Sequence, residues 1–119
     1  MLPRQHRLTK KASFDAVFAH GRRWAGKHVT IRTFPNGTDA YRCGLSASKA
    51  VGNAVVRNRV KRRLREIIRG ANVAPGYDVV VVARPSAAEA PYAGLRADVI
   101  GLLRRAKVCS APAEQGEDR

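Results

Sequence analysis

The sequence predicts one α/β domain in which three helices pack on a single small β-sheet. Apolar residues recur at helical spacing in three segments, and strand-like segments lie between those helices. The helical segments are 12–20, 54–69 and 91–106, and the strand segments are 28–34, 40–45 and 77–83. The order α, β, β, α, β, α has no internal repeat and favours a sheet with helices mainly on one face. The other face is then available to a ligand.

The first helix is expected to follow a basic arm. Residues 1–11 carry four cationic side chains around Pro3, which favours an extended arm over an opening helix. A frayed, solvated terminus explains the same residues about equally well. In the helix, Phe14 and Phe18 share one side, and Gly21 is placed to end the helix in a left-handed conformation.

The first two strands predict a β-hairpin. Residues 28–34 and 40–45 each alternate in the manner of strands. Between them lies Pro35-Asn36-Gly37, whose residue types favour a turn. We therefore expect these two strands to pair with each other.

The next elements predict a parallel pair of strands. Gly52 and Asn53 can provide the turn and the side-chain cap that open the helix over 54–69. The valine-rich segment 77–83 is typical of a strand that is buried on both faces. A strand, a crossover helix and a second strand imply that 40–45 and 77–83 run parallel.

The final helix is amphipathic and closes the domain. Its expected inward stripe consists of Tyr92, Leu95, Val99, Leu102 and Leu103. Residues 1–109 thus form one predicted domain, and residues 110–119 form a predicted disordered acidic tail.

The charge of the chain predicts a polyanionic partner. It has 23 Lys and Arg against 9 Asp and Glu, a net charge of +14, and the acidic tail hides a still larger excess in the body. Nucleic acid is the leading class of partner for such a surface. No apolar run is long enough to span a membrane, and the N-terminus lacks the apolar stretch of a secretory signal. We expect a cytoplasmic protein with no membrane partner.

The composition offers little for catalysis by the protein itself. Cys43 and Cys109 form neither a disulfide framework nor a zinc pattern; Cys43 is expected to be a small buried hydrophobe and Cys109 a free thiol. The three histidines lack metal-ligand spacing, and the acids before the tail are scattered singly. We therefore expect no catalytic residue and no metal ligand in this chain.

The helix over 54–69 carries the strongest functional signal. Residues 57–69 contain seven Lys or Arg and one Glu. The apolar residues of this helix form one stripe that can anchor it to the sheet. The opposite side presents Asn58, Arg62, Arg65 and Arg69. A solvated charged face is the alternative, but such faces normally mix signs, whereas arginine forks of one sign suit phosphate groups.

The aromatic pair Phe14 and Phe18 has two interpretations. The rings lie one helical turn apart on one side of the first helix. Two core phenylalanines would show the same spacing, and packing alone is the simpler explanation. Beside a basic surface, however, such rings can stack on unpaired bases.

The segment from Gly44 to Arg62, GLSASKAVGNAVVRNRVKR, closely resembles the signature of the bacterial ribonuclease P protein subunit. Similar features at the N-terminus, in the first helix and in the valine strand extend the resemblance over about residues 2–106. The resemblance implies a compact α/β fold, related to a domain of a ribosomal protein, with a left-handed βαβ crossover.

The resemblance also implies a function. The expected role is that of the protein subunit of ribonuclease P, an endoribonuclease that removes the 5′ leader of precursor tRNA. The expected partners are ribonuclease P RNA and precursor tRNA, with no obligate protein partner. The RNA subunit is expected to carry the chemistry and to hold most of the Mg²⁺. The alternative is a non-enzymatic RNA-binding protein of ribosomal type.

The resemblance assigns two sets of residues. The set expected to bind the RNA subunit is Ser48, Lys49, Asn53, Arg57, Asn58, Arg59, Lys61, Arg62 and Arg65, to which the helical spacing described above adds Arg69. The set expected to line the leader cleft is Phe14, Phe18 and Arg32, where Arg32 stands in place of a tyrosine that is frequent in relatives. Ala50 stands where many relatives have a second lysine, so the loop has one phosphate partner fewer.

Overall fold

A computed structural model describes residues 6–108, which form three α-helices and one mixed four-stranded sheet. The expectations for the start of the arm, for Cys109 and for the acidic tail lie outside these residues. The elements are α1 (Lys11–His20), β1 (Arg22–Ala25), β2 (Val29–Pro35), β3 (Arg42–Ala47), α2 (Ala54–Arg69), β4 (Tyr77–Ala83), a short 3₁₀ helix (Pro85–Ala88) and α3 (Tyr92–Arg105). The strand order is β1-β2-β4-β3.

Strand β4 lies in the interior of the sheet, antiparallel to β2 and parallel to β3. Val79, Val80 and Val81 are fully buried, so both faces of this strand are covered, as its sequence predicted. The parallel pair of β3 and β4, joined through α2, is confirmed.

The predicted hairpin between residues 28–34 and 40–45 is wrong. β4 lies between β2 and β3 and pairs with both of them, because a strand that is apolar on both faces gains most from an interior position. The loop between β2 and β3 therefore passes the start of β4. There the Asn36 N–H donates to the Gly76 carbonyl (2.9 Å), and the Gly76 N–H donates to the Ala40 carbonyl (3.1 Å).

A strand that the sequence analysis missed, β1, follows α1 directly and forms the actual hairpin with β2. Its sequence contains one large apolar residue, Trp24, which is too little to show alternation. Gly21, which precedes it, is extended (φ −77°, ψ 161°), so the predicted left-handed helix end is wrong. Glycine is needed there for space, because a Cβ would lie 2.5 Å from the Val17 carbonyl oxygen and 2.8 Å from that of Thr33.

Two of the three helices lie on one face of the sheet, as predicted, and the third covers part of the other face. α2 and α3 lie on one face of the sheet, called the first face here, and enclose the main core, which includes Val79 and Val81. α1 packs on the opposite face, the second face, where Val17, Val80 and Leu8 form a smaller buried cluster. The second face keeps half-buried residues beside α1, and these form the cleft described below.

The described end of the arm is bound to the sheet rather than frayed. Arg7 forms an isolated parallel bridge with Cys43, and the Leu8 N–H donates to the Cys43 carbonyl at 2.9 Å. The Leu8 side chain is buried in the smaller cluster. This segment therefore extends along the edge of β3, in agreement with the expectation of an extended arm.

Helix α3 packs much as predicted. Leu95, Val99, Leu102 and Leu103 are buried, but Tyr92 is 40% exposed and does not belong to the inward stripe. Tyr92 is the first residue of the helix, where side chains lean toward the N-terminus and away from the packed centre of the helix. Within residues 6–108, no helix combines the length and the apolarity that crossing a membrane requires.

The turn between β1 and β2 is fixed by one carboxylate of α3. Asp98 accepts hydrogen bonds from the backbone N–H groups of Lys27 (3.1 Å), His28 (2.8 Å) and Val29 (3.1 Å). Three donors satisfy this charge without any cationic side chain. Asp98 therefore stabilises the edge of the sheet and is not available to neutralise the basic surface.

Candidate nucleic-acid interface

Helix α2 is held to the sheet by its apolar stripe. Val60, Leu64 and Ile68 are fully buried, which confirms the predicted anchoring side. The helix begins after Asn53, whose side-chain oxygen accepts a hydrogen bond from the Val56 N–H at 3.0 Å. Asn53, a predicted RNA contact, therefore also caps the helix and sets its first turn.

The side of α2 away from the core presents the predicted polar residues. Asn58, Arg62 and Arg69 are exposed, and Arg65 is half-buried. Arg69 lies 4.0 Å from Glu66 in an exposed pair, which is too long and too solvated to neutralise it effectively. Among the predicted RNA contacts in the described part of the chain, Arg69 alone has a carboxylate partner. This outer face of α2 is thus a nearly continuous cationic surface.

One flank of α2 is used for packing. Arg59 Nη2 donates to the Ala88 carbonyl at 3.0 Å, and Arg63 Nη1 donates to the Ala90 carbonyl at 3.2 Å. These bonds attach α2 to the segment between β4 and α3. Arg59, a predicted RNA contact, is therefore half-buried and partly committed to the fold, and Arg57 is half-buried beside it.

The loop before α2 is built by local hydrogen bonds. The Ser48 hydroxyl accepts from the Ala50 N–H (3.3 Å), and the Ser48 carbonyl accepts from the Val51 N–H (3.0 Å). Val51 is buried beneath the loop, whereas Ser48 and Lys49 are exposed. The structure thus brings Ser48 and Lys49 to the N-terminal end of α2, where the helix dipole also favours an anion.

A cavity of about 310 Å³ connects α2 with α1 across the edge strand β3. Lys61 and Arg65 border it from α2, Phe14 borders it from α1, and Arg7 borders it from the arm. Cys43 lies at this edge and is buried, as predicted, and burial raises the pKa of its thiol to about 12. Lys61 and Arg65 were predicted from the sequence as RNA contacts, whereas the position of Arg7 beside them was not.

The second face of the sheet forms a cleft with α1, and its two phenylalanines have different environments. Phe14 is half-buried and packs on Gly44, where a Cβ would lie 2.4 Å from Phe14 Cζ. Phe18 is 43% exposed. Phe18 is therefore the ring with the larger surface available for stacking.

Arg32 lies against Phe18 in this cleft. Its Cζ is 5.1 Å from the centre of the Phe18 ring, and its Nη1 lies 3.5 Å from the Phe18 carbonyl oxygen. A guanidinium over an aromatic ring is a favourable cation–π arrangement. The structure thus brings together the three predicted cleft residues, Phe14, Phe18 and Arg32, on one face of the sheet.

Sequence reasoning missed one cationic residue of this face. Arg23 in β1 lies directly opposite Arg32 in β2 and therefore points to the same side. Because β1 was not predicted, nothing in the sequence placed Arg23 in the cleft. In the part of the chain that the structure describes, no group of three or more His, Cys, Asp and Glu lies together that could hold a metal ion.

Comparison with known proteins identifies relatives over nearly the whole chain. The family model described as Ribonuclease P matches residues 2–107. A protein named ribonuclease P protein component from a Cyanothece species is 37% identical, with 91% of this chain and 97% of the relative covered. A protein of the same name from Brevibacillus brevis is 38% identical, with 96% and 94% covered.

Solved structures share the fold. The RNase P protein of Staphylococcus aureus has a TM-score of 0.79 and 31% identity, covering 87% of this chain and 96% of that protein. The RNase P protein from Thermotoga maritima has a TM-score of 0.77 and 28% identity, covering 83% and 96%. The α+β architecture of one mixed sheet and three helices is therefore that of these proteins.

Proposed function

Because this chain belongs to the ribonuclease P protein family and is a protein subunit of the ribonucleoprotein that processes tRNA 5′ ends, we propose that its two basic surfaces bind two different RNAs. The outer face of α2 binds ribonuclease P RNA, its partner in the family. The cleft beside α1 binds the 5′ leader of precursor tRNA. The alternative of a ribosomal-type RNA-binding protein has no support among the matched relatives.

The observation that carries the first assignment is the geometry of α2. Its apolar stripe is used entirely in the core, while Asn58, Arg62 and Arg65 face away from it on a surface with almost no carboxylate. Planar guanidinium groups form two parallel hydrogen bonds to one phosphate and stay charged at every physiological pH. A folded RNA that presents several phosphates along one groove satisfies these groups together.

The leader assignment is supported by the combination of an exposed ring and cations on the second face. Phe18 is accessible for stacking on an unpaired base, and Arg32 supplies charge beside the ring. Proteins that bind single-stranded RNA combine these two features, because every base has a π-face and every nucleotide carries a phosphate. Double-stranded RNA would not expose its base faces to such a cleft.

In this proposal, the chain contributes binding and positioning, and the RNA subunit carries the hydrolysis. Mg²⁺, which RNA phosphates rather than side chains of this chain would hold, would supply the activated water for cleavage of one phosphodiester bond. The cationic surfaces lower the repulsion between the RNA subunit and the substrate. Tighter substrate binding at low Mg²⁺ is the expected result.

A reconstitution experiment tests the proposal. The protein is combined with a bacterial ribonuclease P RNA at low Mg²⁺, and cleavage is compared for precursor tRNAs with a single-nucleotide leader and with a longer single-stranded leader. We expect the protein to increase kcat/KM more for the longer leader. Equal stimulation of both substrates would contradict the leader assignment, and no stimulation of either would contradict the subunit function.

A further inference from the structure

The hairpin of β1 and β2 places two arginines side by side on the second face of the sheet. The register pairs Arg23 with Arg32 and Trp24 with Ile31. Trp24 packs against the main core on the first face, so Arg23 must point to the opposite face, on the same side as Arg32. Directly opposed residues in antiparallel strands have Cβ atoms about 5 Å apart. The Arg23 side chain therefore leaves the sheet next to Arg32, whose guanidinium lies over the Phe18 ring.

This arginine pair has no carboxylate in the described residues to neutralise it. Asp98 is occupied by the backbone of the β1–β2 turn, and Asp78 is paired with Arg42. In residues 6–108 the Arg32 guanidinium has its cation–π contact and its hydrogen bond with Phe18 and no ion pair within 4 Å, and Arg23 is exposed. Like charges that are directly opposed across strands destabilise a sheet. An anion bound between them would remove this repulsion.

We propose that Arg23 and Arg32 together bind one phosphodiester group of the single-stranded leader, at the position where the adjoining base stacks near Phe18. This inference rests on the proposed leader function and adds a positioning residue, Arg23, that the family motif does not assign. Two guanidinium forks can donate to the non-bridging oxygens of one phosphate. The hydrogen bonds that fix the β1–β2 turn to Asp98 keep the hairpin in place before RNA binds.

The first test compares three variants in the reconstituted holoenzyme. Arg23→Gln removes the charge, Arg23→Lys keeps the charge without the fork, and Arg22→Gln is the matched control. Arg22 is an exposed arginine on the same strand, but it lies over the Trp24 ring, at 5.0 Å, and points to the first face.

We expect Arg23→Gln to weaken binding of leader-bearing precursor tRNA about fivefold, as loss of a solvated charge-assisted contact should. The salt dependence of that binding should fall by about 0.7 in log K per log salt. Arg23→Lys should lose less, and Arg22→Gln should bind as the unchanged protein does. Binding of mature tRNA should be the same for all four proteins. Equal losses for Arg22→Gln, or for mature tRNA, would overturn the proposal.

The second test changes the RNA and compares the unchanged protein with Arg23→Gln. Methylphosphonate linkages, which are uncharged, replace the leader phosphates one at a time. One position should weaken binding to the unchanged protein and weaken it less with Arg23→Gln, in which only Arg32 is left to lose its contact; this non-additive loss is the signature of a direct pair. Independent, additive losses at every position would overturn the proposal. If the unchanged protein does not distinguish leader-bearing from mature tRNA, the leader function itself fails.

Discussion

Arg42 and Asp78 lie opposite each other across the parallel strands β3 and β4 and form a two-point ion pair, with Nε–Oδ1 and Nη2–Oδ2 distances of 2.8 Å. The Asp78 side chain is 4% exposed, and Asn36 Nδ2 also donates to its Oδ1 at 3.0 Å. The hydrogen bond to Asp78 raises the pKa of Arg42 above its ordinary value. This cluster joins β3, β4 and the loop after β2 at the point where the chain crosses the sheet.

The ion pair predicts a stability cost for Asp78→Asn. The variant removes the negative charge that pairs with the partly buried Arg42 guanidinium. The introduced amide also has a nitrogen donor where Asp78 has one of its two oxygen acceptors. We expect unfolding free energy to fall by about 2–3 kcal/mol, below the full cost of breaking a buried pair because Arg42 is one-third exposed. Urea unfolding measures this. Lys11 and Asp15 form an exposed pair, so Asp15→Asn is the control, with an expected change under about 0.5 kcal/mol.

The buried thiol of Cys43 predicts alkaline sensitivity. Burial raises its pKa from 9.0 to about 12, so the folded state keeps the proton while the unfolded state loses it above about pH 9. The unfolded state is therefore favoured progressively as pH rises from about 9 toward 12. Unfolding free energy measured over this range should fall more steeply for the Cys109→Ser protein than for the same protein with Cys43→Ala. Parallel pH profiles of the two proteins would contradict this expectation.

Most of the fold could be predicted because its strongest patterns are local. The stripe of Val60, Leu64 and Ile68 predicted α2, and the valines of β4 predicted a strand buried on both faces. Pairing of strands is not local. A turn-forming segment between two alternating strands indicates a hairpin. Here β2 and β3 each pair with β4, which is apolar on both faces, and β4 therefore separates them.

The candidate site was predictable to the extent that α2 carries it. Spacing along a helix determines which side each residue occupies, so the sequence alone is enough to place Asn58, Arg62 and Arg65 away from the core. The cleft depends on contacts between distant segments. The packing of Phe14 on Gly44 and the opposition of Arg23 and Arg32 follow from tertiary structure, and no periodicity in the sequence encodes them.

The outer face of α2 predicts a change in salt dependence. Arg62→Ala combined with Arg65→Ala should weaken binding of ribonuclease P RNA and flatten the plot of log K against log salt by roughly 1–2, since each lost phosphate contact removes about 0.7–0.9. Filter binding over a salt series measures this. The charge-matched control is Arg96→Ala combined with Arg105→Ala, two exposed residues of α3, which should leave the slope nearly unchanged. Equal flattening in both double variants would indicate general charge attraction instead of a defined interface.

The different burial of the two cleft phenylalanines predicts that their alanine variants fail in different ways. Phe18 is 43% exposed, so Phe18→Ala should change unfolding free energy by less than about 1 kcal/mol but lose a stacking contact of about 1–3 kcal/mol with a leader base. KM for leader-bearing precursor tRNA should rise about fivefold or more, with binding of the RNA subunit unchanged. Phe14→Ala should instead lower unfolding free energy by about 2 kcal/mol, because that ring fills the space over Gly44 beside Leu8. Urea unfolding and steady-state kinetics on both variants separate the two effects, and an unchanged KM for a folded Phe18→Ala holoenzyme would remove base stacking from the role of the cleft.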